Sequence, residues 1–148
     1  MGKKIWFLTG NLGKVKEAKQ HLQKLGYDVE QLIVDTDILE PQSDNLKLVA
    51  QAKITQALSH LPNENDMLLV EDAGLFIEHL NGFPGVFSAY VLNTIGCNGI
   101  LKLLAHLESE DPVMNGQMRR AEFQAVAALW TGDEILFGNG ICPEIGRA

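Results

Sequence analysis

The stretch that most constrains this chain is a short apolar run that stops at two adjacent acids: Met67-Leu68-Leu69-Val70-Glu71-Asp72-Ala73-Gly74-Leu75. Its four apolar residues read as a buried strand, and the acids and small residues after them read as a turn. A buried strand has no reason of its own to end in two carboxylates. In open α/β sheets, however, ligands gather at the carboxyl ends of strands. Neighbours in an extended chain point to opposite faces, so Glu71 and Asp72 need not do the same job. One can bind a metal or orient a partner while the other handles a proton. The plainer alternative is a pair of solvated acids that cap the next turn.

The N-terminal third repeats the theme. Ile5-Trp6-Phe7-Leu8 is a strand of bulky apolar residues, followed by Thr9-Gly10-Asn11-Leu12-Gly13-Lys14. A helix comes next, with Val15, Ala18, Leu22 and Leu25 on one stripe and Gly26 where a C-cap belongs. A strand, a glycine turn and a helix start together make an anion site, because backbone N–H groups and the positive end of the helix dipole face one small volume. Thr9 and Asn11 add side-chain donors. Lys14 opposes the dipole there, which makes sense if an anion normally lies between them. A plain strand-to-helix turn would look the same, and the Walker spacing is absent.

Val29 to Val34 reads as a second, more polar strand near a sheet edge. After a loop from Asp35 to Asp44, with Ser43 or Asp44 as cap candidates, a helix places Leu46, Val49, Ala50, Ala57 and Leu61 on one face. Lys53 falls inside that stripe. A lysine on an apolar face must reach water or meet an anion, since an unpaired buried ammonium is costly. Glu40, in the approach to this helix, could ligate a metal. Asn63 to Asp66 is a turn into the central strand. Asn81-Gly82 and Pro84-Gly85 force a tight, rigid path beside it. Asn98 can cap a helix with Ile100, Leu101, Leu104 and Leu107 inward. Glu108 to Met118 reads as polar, turn-like and mobile. Arg120 to Trp130 and Glu134 to Ile141 form a hairpin around Thr131-Gly132-Asp133.

The totals set bounds. A chain of 148 residues, 46% hydrophobic and 21% charged, reads as one globular domain. Its net charge of −7 argues against a general nucleic-acid or membrane-surface binder, but a nucleotide needs only local lysines and a divalent cation. The apolar run after Lys3-Lys4 is too short for a signal-peptide core, and nothing approaches a membrane span. Cys97 and Cys142 lack disulfide or metal spacing and read as reduced cytosolic thiols. His21, His60, His79 and His106 are scattered and read as surface or packing residues.

With these pieces in place, the sequence resembles the inosine triphosphate pyrophosphatase family, also called Ham1-like or non-canonical purine NTP pyrophosphatases. The family's T-G-N-x-x-K-x-x-E opening is matched by Thr9, Gly10, Asn11, Lys14 and Glu17. Its acid, loop and inward lysine look like Glu40 and Lys53. Its acidic strand end and later G-x-P-G-V-x-S-A look like Glu71 to Leu75 and Gly82 to Ala89.

The resemblance implies an α/β fold with a mixed central sheet flanked by helices, as in Maf and Ham1 proteins. It implies cleavage of nucleoside triphosphates between the α and β phosphates, Mg²⁺, a cytosolic setting and a homodimer. Substrates would be ITP, dITP and XTP. Carried onto this chain, Thr9, Gly10, Asn11, Lys14, Lys53, Glu71, Gly74, Phe87 and Ser88 would bind substrate. Glu40 and Asp72 would hold the metal, and Asp72 would activate the attacking water.

The sequence departs from the family pattern at Ala73, where serine is common, and at Tyr90, where arginine is common. The G-F-G-Y-D-P-like loop and S-H-R segment that read the purine are not found through Ala148. The expectation is therefore a single, C-terminally shortened domain over 1–148 that retains the phosphate-and-metal half of the site. The alternative is a relative that binds nucleotide or a partner subunit with little turnover. A nucleic-acid-binding module has neither the charge nor the basic, aromatic-interleaved face.

Overall fold

The computed structural model describes residues 3–145, with side chains described as far as Ile141. The first apolar run forms β1 (Lys3–Leu8) and buries Ile5 and Phe7. Helix α1 (Leu12–Leu22) starts where Asn11 Oδ1 accepts from the backbone N–H groups of Gly13 at 2.9 Å and Lys14 at 3.3 Å. Two donors that a helix start would otherwise leave unpaired are thereby satisfied. A 3₁₀ turn, Gln23–Leu25, ends at Gly26, whose φ of 90° is the expected left-handed cap. Val15 is buried and Ala18 and Leu22 pack with it. Leu25, expected on the same stripe, is 70% exposed, because the tighter 3₁₀ winding rotates it off the face.

Strand β2 (Tyr27–Leu32) begins two residues before the expected Val29, since Gly26 turns the chain straight into a parallel ladder running from Lys3↔Tyr27 to Leu8↔Leu32. The strand order β2-β1-β3-β5-β6 makes β2 an edge, as its polarity suggests. Helix α2 (Leu46–Ala57) buries Leu46, Val49, Ala50, Ile54 and Ala57. Its cap is Asn45 rather than Ser43 or Asp44. Asn45 Oδ1 accepts from Lys47 N at 2.9 Å, and Ser43 instead braces the cap by accepting from Asn45 N at 3.1 Å.

Strand β3 (Met67–Ile77) pairs parallel with β1 from Ile5↔Met67 to Leu8↔Val70. The turn expected at Ala73-Gly74 does not occur, and the strand runs on for three residues past Gly74. A Cβ at Gly74 would stand 2.2 Å from the Gly85 carbonyl oxygen. Glycine is needed there for the close approach of β4 (Pro84–Gly85), which pairs antiparallel with β3 through Leu75↔Gly85 and Phe76↔Pro84. Three parallel strands joined by crossover helices, with an antiparallel partner, make this a mixed α/β fold with a central mixed sheet flanked by helices.

The described residues group into two compact units. One comprises residues 3–72 with Val126–Gly138, and the other Ala73–Ala125 with residues 139–145. In the first, Ile5, Phe7, Val15, Val29 and Met67 form a core cluster under α1. Full burial of a side chain such as Ile5 or Leu68 is worth roughly 1.5–3 kcal/mol.

In the second unit, Ile77, Val91, Ile100 and Leu104 form the core. The tight path expected near Pro84 is present, with left-handed φ at Asn81, Gly82 and Gly85. It leads into α3 (Ser88–Thr94), which the glycine-rich reading of this stretch missed, and then α4 (Gly96–Leu104). Asn98 lies inside α4 rather than capping it, and Leu101 is 40% exposed rather than inward. The helix starts at Gly96, and that start sets the phase of its face. The segment expected to be turn-like contains α5 (Pro112–Met118), where Asp111 Oδ1 caps Val113 N at 3.0 Å and Pro112 holds the first position.

The hairpin is β5 (Arg120–Trp130) with β6 (Ile135–Ile145), closed by Thr131 N donating to the Glu134 carbonyl at 3.0 Å. Cys97 is a free, exposed thiol. The Cys142 side chain lies outside the described residues.

Candidate active site

The β1–β3 ladder ends at Leu8↔Val70. Beyond that rung β1 leaves the sheet as Thr9-Gly10-Asn11 while β3 continues, so Glu71 and Asp72 project past the last parallel pair. Strand alternation then sends them to different helices. Glu71 Oε1 accepts from Lys14 Nζ, on the first turn of α1, at 3.0 Å. Asp72 Oδ1 lies 3.3 Å from Lys53 Nζ, on α2, and Glu40 Oε1 lies 2.9 Å from the same ammonium. The two acids do separate jobs, as adjacent strand positions imply.

The two contacts differ in burial. Lys14 and Glu71 are 38% and 31% exposed, and a pair so wet contributes about 1 kcal/mol or less to stability. The Lys53 and Asp72 side chains are only 16% and 13% exposed. Burial pulls the Lys53 ammonium down, but its hydrogen bond to Glu40 and the charges of Asp72 and Glu40 outweigh that, so its pKa ends above the ordinary 10.5. A lysine that reads as misplaced on an apolar stripe is held there by two carboxylates.

Thr9 and Asn11 partly spend their polar atoms on the turn itself. Thr9 Oγ1 accepts from Asn11 N at 3.1 Å, and Asn11 Oδ1 caps α1. The donor ends, a hydroxyl hydrogen and an amide NH₂, remain for a ligand. A Cβ at Gly10 would meet no protein atom within 4 Å. It would stand in open space at a cleft of about 570 Å³ that Thr9, Gly10, Lys53 and Glu71 line with Gln31 and Thr36.

Two residues here, Gln31 and Gln56, were not legible in the sequence. Gln31, the penultimate residue of β2, donates from Nε2 to the Thr9 carbonyl at 2.7 Å. A strand boundary displaced by two residues hid that position. Gln56 sits on α2 three residues after Lys53. It accepts from Leu39 N at 2.7 Å and donates back to the Leu39 carbonyl, so both polar groups of one loop residue meet one amide. The usable signal was the i, i+3 spacing from Lys53, which puts both on one face.

Of the expected substrate residues, Gly74, Phe87 and Ser88 belong to the second unit. Gly74 makes room for β4. Ser88 is buried, donating to the Gly85 carbonyl at 2.6 Å and accepting from Leu75 N at 2.8 Å. Phe87 is 47% exposed. The four histidines are exposed. Among the described residues no group of three or more His, Cys, Asp or Glu side chains is placed to hold a metal. Nor is any helix among them long and apolar enough to cross a membrane.

The pattern that defines the Ham1 family matches residues 5–145. This chain belongs to the Ham1 family. It is 47% identical over 123 residues to a protein of Methanopyrus kandleri named dITP/XTP pyrophosphatase, covering 83% of this chain and 58% of that one. A protein of Thermococcus kodakarensis with the same name is 39% identical over 142 residues, with 96% of this chain and 70% of the other covered. Among solved structures, the Ham1 protein of Staphylococcus aureus superposes with a TM-score of 0.74 at 28% identity, over 95% of this chain and 70% of that one. A HAM1 protein of Coxiella burnetii shares the fold at 24% identity and a TM-score of 0.70, over 95% and 71%. The chain thus spans between 58% and 71% of the length of these relatives and structures.

Proposed function

We propose that this chain hydrolyses nucleoside triphosphates between the α and β phosphates, releasing a monophosphate and pyrophosphate, with ITP, dITP and XTP as its substrates. One observation carries the reading: two lysine–carboxylate contacts, Lys14–Glu71 and Lys53–Asp72–Glu40, lie at the open ends of β1 and β3 beside a cleft lined by a glycine turn. The name that the relatives carry, dITP/XTP pyrophosphatase, supports the substrate class.

The chemistry follows from charge. Among the described residues, the carboxylates of Glu40, Glu71 and Asp72 share the ammonium groups of Lys14 and Lys53. An arriving triphosphate takes the lysines, and the acids they release need a cation. Glu40 and Asp72 already converge on a single positive charge and both offer hard oxygen donors, and among the described residues no third His, Cys, Asp or Glu is grouped with them to hold a metal. That set fits Mg²⁺, which takes one or two carboxylates and completes its shell with phosphate oxygens and water. When bound, Mg²⁺ supplies charge neutralisation at the phosphoryl oxygens.

The chain's own groups do the rest. Lys14 and Lys53 bind phosphate oxygens, the Gly10 backbone N–H, the Thr9 hydroxyl and the Asn11 amide NH₂ donate beside them, and Asp72 takes the proton of the attacking water. The same reading takes the chain as one Ham1-like domain acting as a cytosolic homodimer, on the resemblance alone.

Pyrophosphate release in Mg²⁺, compared across ITP, dITP, XTP, GTP, ATP and dUTP, tests it. The expected result is turnover of ITP, dITP and XTP above GTP. Asp72→Asn is expected to keep the fold and lose about 10²–10⁴ in rate, the usual worth of a placed general base. Folded wild-type protein that releases no pyrophosphate from any of these would overturn the assignment.

A further inference from the structure

Glu40 stands in a stretch without regular structure between Leu32 and Asn45, yet its carboxylate arrives within 2.9 Å of Lys53 Nζ. Something must define where that stretch lies. Glu40 is 53% exposed, and a lone half-wet ion pair is too weak to order a loop by itself. The neighbouring residue provides the answer. Gln56 Oε1 accepts from Leu39 N at 2.7 Å, and Gln56 Nε2 donates to the Leu39 carbonyl. A planar amide that meets both the N–H and the C=O of one residue reproduces the pairing of a sheet rung. It fixes the orientation of that peptide as well as its distance. Gln56 Nε2 also donates to the Ala52 carbonyl of its own helix at 3.2 Å, which limits the rotamer from which it can act. Because Gln56 and Lys53 lie three apart on one α2 face, a single rigid helix presents both the ammonium that meets Glu40 and the amide that holds Leu39.

We propose that Gln56 is a positioning residue of the cation site. By clamping the Leu39 backbone it delivers the Glu40 carboxylate to Asp72 and Lys53, and so sets the affinity of the Glu40–Asp72 pair for a divalent cation without touching cation or substrate. The inference rests on the metal role of Glu40 in the proposed function. Residues that orient metal ligands typically change metal affinity 10–100-fold when removed. The clamp makes the same demand here, since freeing the loop adds conformations in which Glu40 is elsewhere.

The test is Mn²⁺ binding by the full chain, followed by water-proton relaxation, in wild type, Gln56→Met, Gln56→Glu and Glu40→Gln. Amide exchange at Leu39 N–H is read alongside. Gln56→Met preserves length and loses both bonds. Gln56→Glu keeps the acceptor for Leu39 N but turns a second oxygen towards the Leu39 carbonyl. The expected result is Mn²⁺ affinity weakened about 10-fold or more in both Gln56 variants, with melting curves near wild type and Leu39 exchange accelerated most in Gln56→Met. In steady state the Mg²⁺ activation midpoint moves up by the same factor while kcat at saturating Mg²⁺ holds, a split that a general loss of packing would not give. Unchanged Mn²⁺ affinity in a folded Gln56 variant, with Glu40→Gln weakened, would overturn the clamp alone. Equal Mn²⁺ binding by wild type and Glu40→Gln would overturn the metal role of Glu40 and the clamp with it. Failure of both Gln56 variants to fold would also overturn it, by making Gln56 a packing residue.

Discussion

Lys53 shows what a single residue can disclose. Its stripe partners on α2 are Leu46, Val49, Ala50, Ile54 and Ala57, all buried, and periodicity alone marks it as the exception. Removing it takes away the ammonium that both Glu40 and Asp72 meet. A fully buried pair broken on one side costs about 3–5 kcal/mol. Glu40 is half exposed, so Lys53→Met should cost less than that while lowering the melting temperature measurably. The pH dependence has a definite sign. The folded pKa of Lys53 is raised, so its contribution is complete below the unfolded value near 10.5 and is lost as pH rises through the folded value. The gap in melting temperature between wild type and Lys53→Met should therefore be constant up to about pH 10 and close above it. Circular dichroism melts from neutral to strongly alkaline pH check this, and a gap that widens with pH would sink the ion-pair account.

Among the elements, β3 departs most from what its sequence suggests. An apolar run followed by Glu-Asp-Ala-Gly reads as a strand and a turn, because acids and glycine usually mark chain reversal. The strand continues because β4 lies alongside it, and Gly74 is the residue that admits β4. Gly74→Ala would drive a Cβ to 2.2 Å from one backbone oxygen and 2.8 Å from the adjoining carbon, neither of which is a flexible side-chain end. The expected cost is about 1–3 kcal/mol, read as a lower urea midpoint. Gly10→Ala is the contrast. Its Cβ meets nothing in the protein, so stability should hold while KM for the nucleotide rises as the methyl enters the cleft. Equal urea midpoints for Gly74→Ala and wild type would mean that β4 can move away at no cost.

For the molecule as a whole, the carboxylates that share the two lysines couple cation and anion. A triphosphate that takes Lys14 and Lys53 draws those ammonium groups away from Glu40, Glu71 and Asp72, and a divalent cation bound alone competes with Lys53. Each ligand should therefore stabilise the fold weakly by itself and strongly with the other. Thermal melts with Mg²⁺, with a non-hydrolysable ITP analogue and with both should show a joint shift larger than the two single shifts combined. An additive result would separate the cation from the phosphate site.

The sequence by itself determined the strands and helices whose apolar period is long, the glycine cap at Gly26 and the closing hairpin, and it singled out the acids and lysines that the proposed site uses. Those features are local, since each depends on neighbours a few residues away. Only the tertiary structure decided that Glu71 meets Lys14 while Asp72 meets Lys53, that Gly74 serves a neighbouring strand instead of a turn, and that Gln31 and Gln56 brace the site. Each of these is a contact between residues 11 or more positions apart, made when separate elements are packed together. Local period carries no record of which distant side chain lies across the gap.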